Sequence, residues 1–153
     1  MTNRIGYAAG AFDLFHVGHL NLLRQAKAHC DYLIAGVVAD ELLVAAKGRA
    51  PVIPLAERLE IVRNIGFVDE AIAEVLPNKL DTWRRTPFDV IFKGDDWKGT
   101  VRGLALERDF TDVGVEIIYF PYTVHTSSTI LRRTLDLIDA EHAENVQHQR
   151  FSR

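Results

Sequence analysis

Cysteine is nearly missing: one residue, Cys30, in a chain of 153. That excludes an intramolecular disulfide framework and a Cys-rich zinc site, and makes a reducing, cytoplasmic setting the expectation. No apolar run approaches the roughly 18 residues of a membrane-spanning helix. Met1-Thr2-Asn3-Arg4 leads into the first apolar stretch without a signal-peptide core. An excess of basic charge is missing too. Eighteen Lys plus Arg stand against 21 Asp plus Glu, a net charge of −3, which gives a general nucleic-acid binder no support. There is no internal repeat, low-complexity block or Pro/Gly/Ser-rich linker. The G-x-G-x-x-G dinucleotide fingerprint is absent, so a nicotinamide dehydrogenase is not expected.

What is present reads as one globular domain. Hydrophobic residues make up 48% of the chain and charged residues 25%, values that fit a packed core rather than a disordered segment. Short apolar runs alternate with helical stretches, the pattern of an α/β chain. Strands are expected over 5–9, 32–38, 68–75, 90–93 and 115–120. Helices are expected over 17–29, 41–46 (capped by Asp40), 55–65, 80–85 and 127–138. Five such strands imply a mostly parallel, Rossmann-like sheet flanked by helices, with ligands bound beyond the strands' carboxyl ends. The domain is expected over residues 1–139. Residues 140–153, with Glu141, His142, His148 and Arg150, read as a solvated helix extension or frayed end without chemistry.

The strongest signal follows the first strand: Gly10-Ala11-Phe12-Asp13-Leu14-Phe15-His16-Val17-Gly18-His19. Gly10 permits close backbone approach, and the start of the next helix offers free N–H groups to phosphate. His16 and His19, three residues apart, share one face of the first helical turn. Two imidazoles beside an anion site can hydrogen-bond phosphate oxygens where charge builds up during phosphoryl transfer. A metal site with Asp13 as third ligand has the same His spacing; the glycines and the strand-turn-helix setting favour phosphate.

This ten-residue stretch resembles the Gly-x-Phe-Asp-x-x-His-x-Gly-His signature of the cytidylyltransferase-like nucleotidyltransferases. The resemblance implies a Rossmann-like domain that moves a nucleotidyl group from a nucleoside triphosphate to a phosphate acceptor. It also implies Mg²⁺ carried by the triphosphate, release of pyrophosphate and a homodimer. A second segment, Phe92-Lys93-Gly94-Asp95-Asp96-Trp97-Lys98-Gly99, is similar to the Gly-Asp-Asp-Trp stretch of bacterial glycerol-3-phosphate cytidylyltransferases. The likeness covers roughly residues 5 to 137. It implies CTP and a small alcohol phosphate as substrates, with CDP-glycerol as the product.

Carried over residue by residue, the resemblance assigns catalysis to His16, His19 and Lys47. Gly10, Ala11, Phe12 and Asp13 line the triphosphate, and Asp95 and Asp96 border the nucleotide. Asp40, Arg58, Arg63 and Trp97 fall to the acceptor. Plainer readings stand beside these: Lys47 as a solvated loop residue, Arg58 and Arg63 as helix-face ion pairs, and Trp97 as a core side chain.

The third family motif, Arg-Thr-x-Gly-x-Ser-Thr, is altered. The chain reads Tyr122-Thr123-Val124-His125-Thr126-Ser127-Ser128-Thr129, so a phenol replaces a guanidinium that clamps phosphate with a permanent charge. Thr123, Ser127, Ser128 and Thr129 still offer donors at a helix start. Ser128-Thr129-Ile130-Leu131-Arg132 also resembles the ending of the adenylyltransferase branch, where Arg132 supplies the lost charge. His125 is read as a substrate contact or a surface residue. Cytidylyl transfer is therefore the expectation, with adenylyl transfer and a non-catalytic nucleotide-binding module as the alternatives.

Overall fold

In the computed structural model, residues 3–151 are described, with side chains through Glu144; His148 and Arg150 of the tail lie outside the described side chains. Five strands form one parallel sheet: β1 (Ile5–Gly10), β2 (Tyr32–Val38), β3 (Glu70–Glu74), β4 (Val90–Gly94) and β5 (Glu116–Phe120). Their order across the sheet is β3-β2-β1-β4-β5. The order reverses between β1 and β4, which opens a crevice at their carboxyl ends. The helices are α1 (Val17–Lys27), α2 (Asp40–Lys47), α3 (Leu55–Arg63), α4 (Lys79–Arg85), α5 (Val101–Thr111) and α6 (Ser128–Phe151). Among the described residues no helix is long and apolar enough to cross a membrane.

Strand residues alternate between two core layers, as the period of two requires. Ala8, Leu33, Ala35, Val90 and Phe92 pack with Leu23 and Ala26 of α1 and Val62 of α3. On the other face Tyr7, Ile34 and Ile91 pack with Leu106 and Phe110 of α5, and with Leu80 and Trp83 of α4.

Two expectations need correction. The first concerns α5, which has no counterpart in the sequence reading. Its buried face is Gly103, Leu106 and Phe110, but Val101 and Leu104 are apolar and exposed, which blurs the helical period. Gly103 is required there: a Cβ would lie 1.9 Å from the Trp97 carbonyl oxygen. The second concerns Asp40, which does not cap α2. Ala39 occupies the cap without a side-chain bond, and the Asp40 carboxylate instead receives Arg58. Helix α6 runs unbroken from Ser128 to Phe151, so the tail continues it as a helix extension.

Gly36 in β2 faces a constraint of its own. A Cβ there would lie 2.0 Å from the Tyr7 hydroxyl. That ring is fully buried and stacked on Phe88 at 4.7 Å, and its hydroxyl donates to Glu74 at 2.8 Å. Gly36→Ala is expected to cost about 1–3 kcal/mol through overpacking. Thermal unfolding checks this, and an unchanged melting temperature would contradict it.

Candidate active site at the β1–β4 crevice

A cleft of about 740 Å³ opens over the carboxyl ends of the strands. Its floor is the turn after β1. Phe12 and Leu14 both have φ of 51°, a left-handed conformation that costs bulky residues about 1–3 kcal/mol each and persists only where the surroundings enforce it. Asp13 provides that enforcement. Its carboxylate accepts the Val52 and Ile53 N–H groups, each at 2.9 Å, and pairs with Arg132. Its carbonyl accepts the Ser128 hydroxyl at 2.6 Å. Asp13 is 3% exposed, so it acts as a tie between this turn, the loop before α3 and the start of α6.

The turn delivers His16 to the N-cap of α1. The His16 Nδ1 accepts the Gly18 N–H at 3.0 Å, and the His19 Nδ1 accepts the His16 N–H at 3.2 Å. The two imidazoles thus form a reciprocal capping box, with ring centres 4.0 Å apart. Gly18 makes room for it: a Cβ there would lie 2.7 Å from the His16 ring. Because both Nδ1 atoms accept, a neutral ring carries its proton on Nε2. Burial lowers the His16 pKa. His19 is pushed down to about 4, first by burial, then by His16 and Lys47, with Asp13 opposing. Both rings are therefore neutral Nε2–H donors at pH 7. The Nε2 of His19 lies 3.5 Å from the Ser128 hydroxyl, which joins the histidine turn to the α6 N-terminus.

Lys47 ends α2 beside Gly48, which has a φ of 71°. Burial, then Arg132, Arg102 and Arg49, lower its pKa against Asp13. Lys47 thus stands among cations at the cleft rim. Thr123, Ser127, Ser128, Thr129 and Arg132 line the same cleft, as does Tyr122. The Ser127 Oγ accepts the Ile130 N–H at 3.2 Å. The Asn21 amide donates to Thr123 at 3.1 Å. The Arg132 guanidinium is bonded to Asp13 and to the Ala50 carbonyl, so its charge is largely answered in place.

Asp95, Asp96 and Trp97 form a one-turn 3-10 helix after β4. Asp96 and Trp97 line the cleft, whereas Asp95 and His125 are exposed and do not. Three residues assigned to the acceptor stand off the cleft lining. Arg58 is fully buried, and its guanidinium is spent on Ile53, Ala11, Val38 and Asp40. Asp40 is occupied in turn by that pair. Arg63 is exposed and meets Glu60 one helical turn away, off the cleft. In their place stand four cations that the sequence reading passed over: Arg49, Lys79, Lys93 and Arg102. Lys93 had a legible signal, a lysine ending an apolar strand at its carboxyl end. Arg102 was hidden with α5.

Among the described residues no group of three His, Cys, Asp or Glu side chains is placed to hold a metal ion. Asp13 is engaged with Arg132, and Glu74 with Tyr7 and Lys79. Asp96 is the cleft carboxylate left over, a donor set that suits a cation carried in by phosphate oxygens.

The family model described as cytidylyltransferase-like matches residues 7–134. The chain is 42% identical over 95 residues to the ethanolamine-phosphate cytidylyltransferase of Arabidopsis thaliana; that stretch covers 59% of this chain and 22% of the plant protein. This chain therefore corresponds to less than a quarter of that relative. It is 37% identical over 114 residues to the FAD synthase of Pyrococcus abyssi, covering 74% of this chain and 77% of that one. The crystal structure of a lipopolysaccharide core biosynthesis protein from Thermoplasma volcanium superposes with a TM-score of 0.68 at 23% identity. It covers 82% of this chain and all of the other, a likeness of fold.

Proposed function

Because the chain belongs to the cytidylyltransferase-like family, we propose that it transfers a cytidylyl group from CTP to the phosphate of a small phosphorylated alcohol. Glycerol 3-phosphate is the first acceptor to try. Phosphoethanolamine is the second, through the plant relative's name. The observation that carries the reading is the imidazole capping box. It fixes two neutral Nε2–H donors in the cleft, that of His19 beside the α6 N-terminus.

An acceptor phosphate oxygen attacks the α-phosphorus of the triphosphate. A new P–O bond forms, the bond to the bridging α–β oxygen breaks, and its electron pair leaves on pyrophosphate. The acceptor is already anionic, so no base has to take a proton from it. His16 and His19 bond the oxygens on which charge grows, and Lys47 and Arg49 hold the phosphates in line. Asp13 keeps the turn in its strained form. Asp96 would meet a divalent cation carried in on the phosphates, and such an ion would supply neutralisation of the leaving-group charge.

Adenylyl transfer is the second reading. It is favoured by Tyr122 in place of the motif arginine, and by relatives named FAD synthase. Four nucleoside triphosphates crossed with a panel of phosphorylated alcohols and flavin mononucleotide, followed by pyrophosphate release, separate the two. CTP with a small alcohol phosphate is expected to give the highest turnover. Preferential use of ATP would reject the cytidylyl assignment.

A further inference from the structure

Lys93, next to last in β4, stands in the wall of the cleft and is only 6% exposed. Its ammonium has three donors to satisfy. The bond on hand runs to the Ala9 carbonyl at 3.5 Å, and the Nζ sits 4.1 Å from the centre of the Trp97 ring. Among the described residues no carboxylate forms an ion pair with it. Glu74 is taken by Tyr7 and Lys79, Asp13 is taken by Arg132, and Asp96 acts on Lys93 through its charge without an ion pair. A buried charge without a partner is costly. The natural partner is an anion brought by a ligand. Two further cations share the wall. The Arg102 guanidinium lies 4.9 Å from the centre of the same indole, and Lys79 is held at the cleft by the buried Glu74.

We propose that Lys93 and Arg102, arranged around the Trp97 ring, form a second anion subsite that takes the acceptor's phosphate beside the triphosphate held at the His16/His19 turn. The proposal rests on the nucleotidyl-transfer reading above. Lys93 lies next to that turn through its contact with Ala9, so a phosphate bound to it stands within reach of the reacting phosphorus. Burial, then Lys79 and Arg102, push the Lys93 pKa down to about 7 against Glu74 and Asp96. Near neutral pH part of the ligand-free population therefore carries a neutral amine. An arriving anion favours the ammonium, so binding takes up a proton.

The test uses the full chain saturated with α,β-methylene CTP, which blocks the triphosphate site without transferring. Inorganic phosphate is then titrated in by calorimetry, in two buffers of different ionisation enthalpy. At about pH 8.5, where inorganic phosphate is already the dianion and the Lys93 amine is mostly neutral, the wild type is expected to bind phosphate with proton uptake. Lys93→Met is expected to weaken phosphate at least tenfold and abolish the uptake, while affinity for the CTP analogue stays within about twofold. Methionine fills a similar volume without charge, so the fold is expected to hold. The exposed Arg102→Gln variant, expected to weaken phosphate severalfold, carries the test if Lys93→Met does not fold. Unaltered phosphate binding in these variants, or no phosphate binding by the analogue-loaded wild type, overturns the subsite. Loss of the CTP analogue instead of phosphate in Lys93→Met overturns it too, by assigning Lys93 to the nucleotide. A wild type that binds none of the four triphosphates sinks the nucleotidyl-transfer reading instead, a failure seen before any variant is made.

Discussion

Replacing His16 by serine and His19 by glutamine together is expected to abolish turnover while leaving the protein folded. The pair of changes rewrites the start of α1 as Ser-x-x-Gln, an ordinary capping box that satisfies the same two N–H groups. In the native chain those groups are the Gly18 and His16 N–H, bonded by the two imidazole Nδ1 atoms. What the double variant removes is the Nε2–H donors. One such donor in a charge-stabilising site is worth about a hundredfold to a thousandfold in turnover. Each single variant should fall by that amount. The double variant should fall by less than the product, because groups acting as a unit are not additive. Alanine is the poorer probe, since His16→Ala also loses a cap worth about 0.5–2 kcal/mol. Pyrophosphate release gives the rates and thermal unfolding controls the fold. Near-normal turnover in the double variant would remove the imidazoles from the chemistry.

The same variant tests the protonation argument. His19 is pushed down to about 4 in the folded chain, mainly by burial, whereas an unfolded imidazole titrates near 6.5. The unfolded state therefore binds more protons between those values. His19 costs the native state nothing above pH 6.5 and progressively more as pH falls toward 4. The wild-type melting temperature should drop across that window, and the drop should be shallower in the His16→Ser/His19→Gln protein.

The parts of this molecule that were legible beforehand are those that repeat or that sit next to one another in the chain. Strand 32–38 is written as an unbroken apolar run and forms with those limits. The turn and first helix carry their own signature between Gly10 and His19. What escaped depends on contacts between distant segments. Whether Arg58 points to a ligand or into the protein is decided by Ala11 and Val38, 47 and 20 residues away, and no spacing within α3 carries that information. Asp13 lines the cleft where its place in the motif puts it, but its second role, as a tie to Val52, Ile53 and Arg132, rests on partners far away in the chain. Lys93 read as part of a strand, and its cleft position needed the β1–β4 reversal of strand order to be seen.

Arg58 yields the second large effect, on stability. Its guanidinium joins four segments. It donates through Nε to the Ile53 carbonyl at 2.8 Å and through Nη1 to the Ala11 and Val38 carbonyls, and it pairs with Asp40 through Nη2. The side chain is fully buried, whereas that of Asp40 is 36% exposed. Arg58→Met keeps much of the volume but leaves three backbone carbonyls without their donor. Asp40 rehydrates and contributes little to the loss. Each unpaired buried acceptor costs about 1–3 kcal/mol, so the total for three is of order 3–9 kcal/mol. For a chain of this size that lowers the melting temperature by about 10 °C or more. Arg58→Lys should recover little, because one ammonium cannot reproduce a planar fork that serves several acceptors. Arg63→Ala is the control: its exposed pair with Glu60 is worth under about 1 kcal/mol, so neither melting temperature nor acceptor KM should move. Ala11 belongs to the turn that presents His16, so whatever Arg58→Met protein remains folded should also show a lowered kcat. An unchanged melting temperature with a selectively raised acceptor KM is the outcome that would return Arg58 to the cleft as a phosphate ligand.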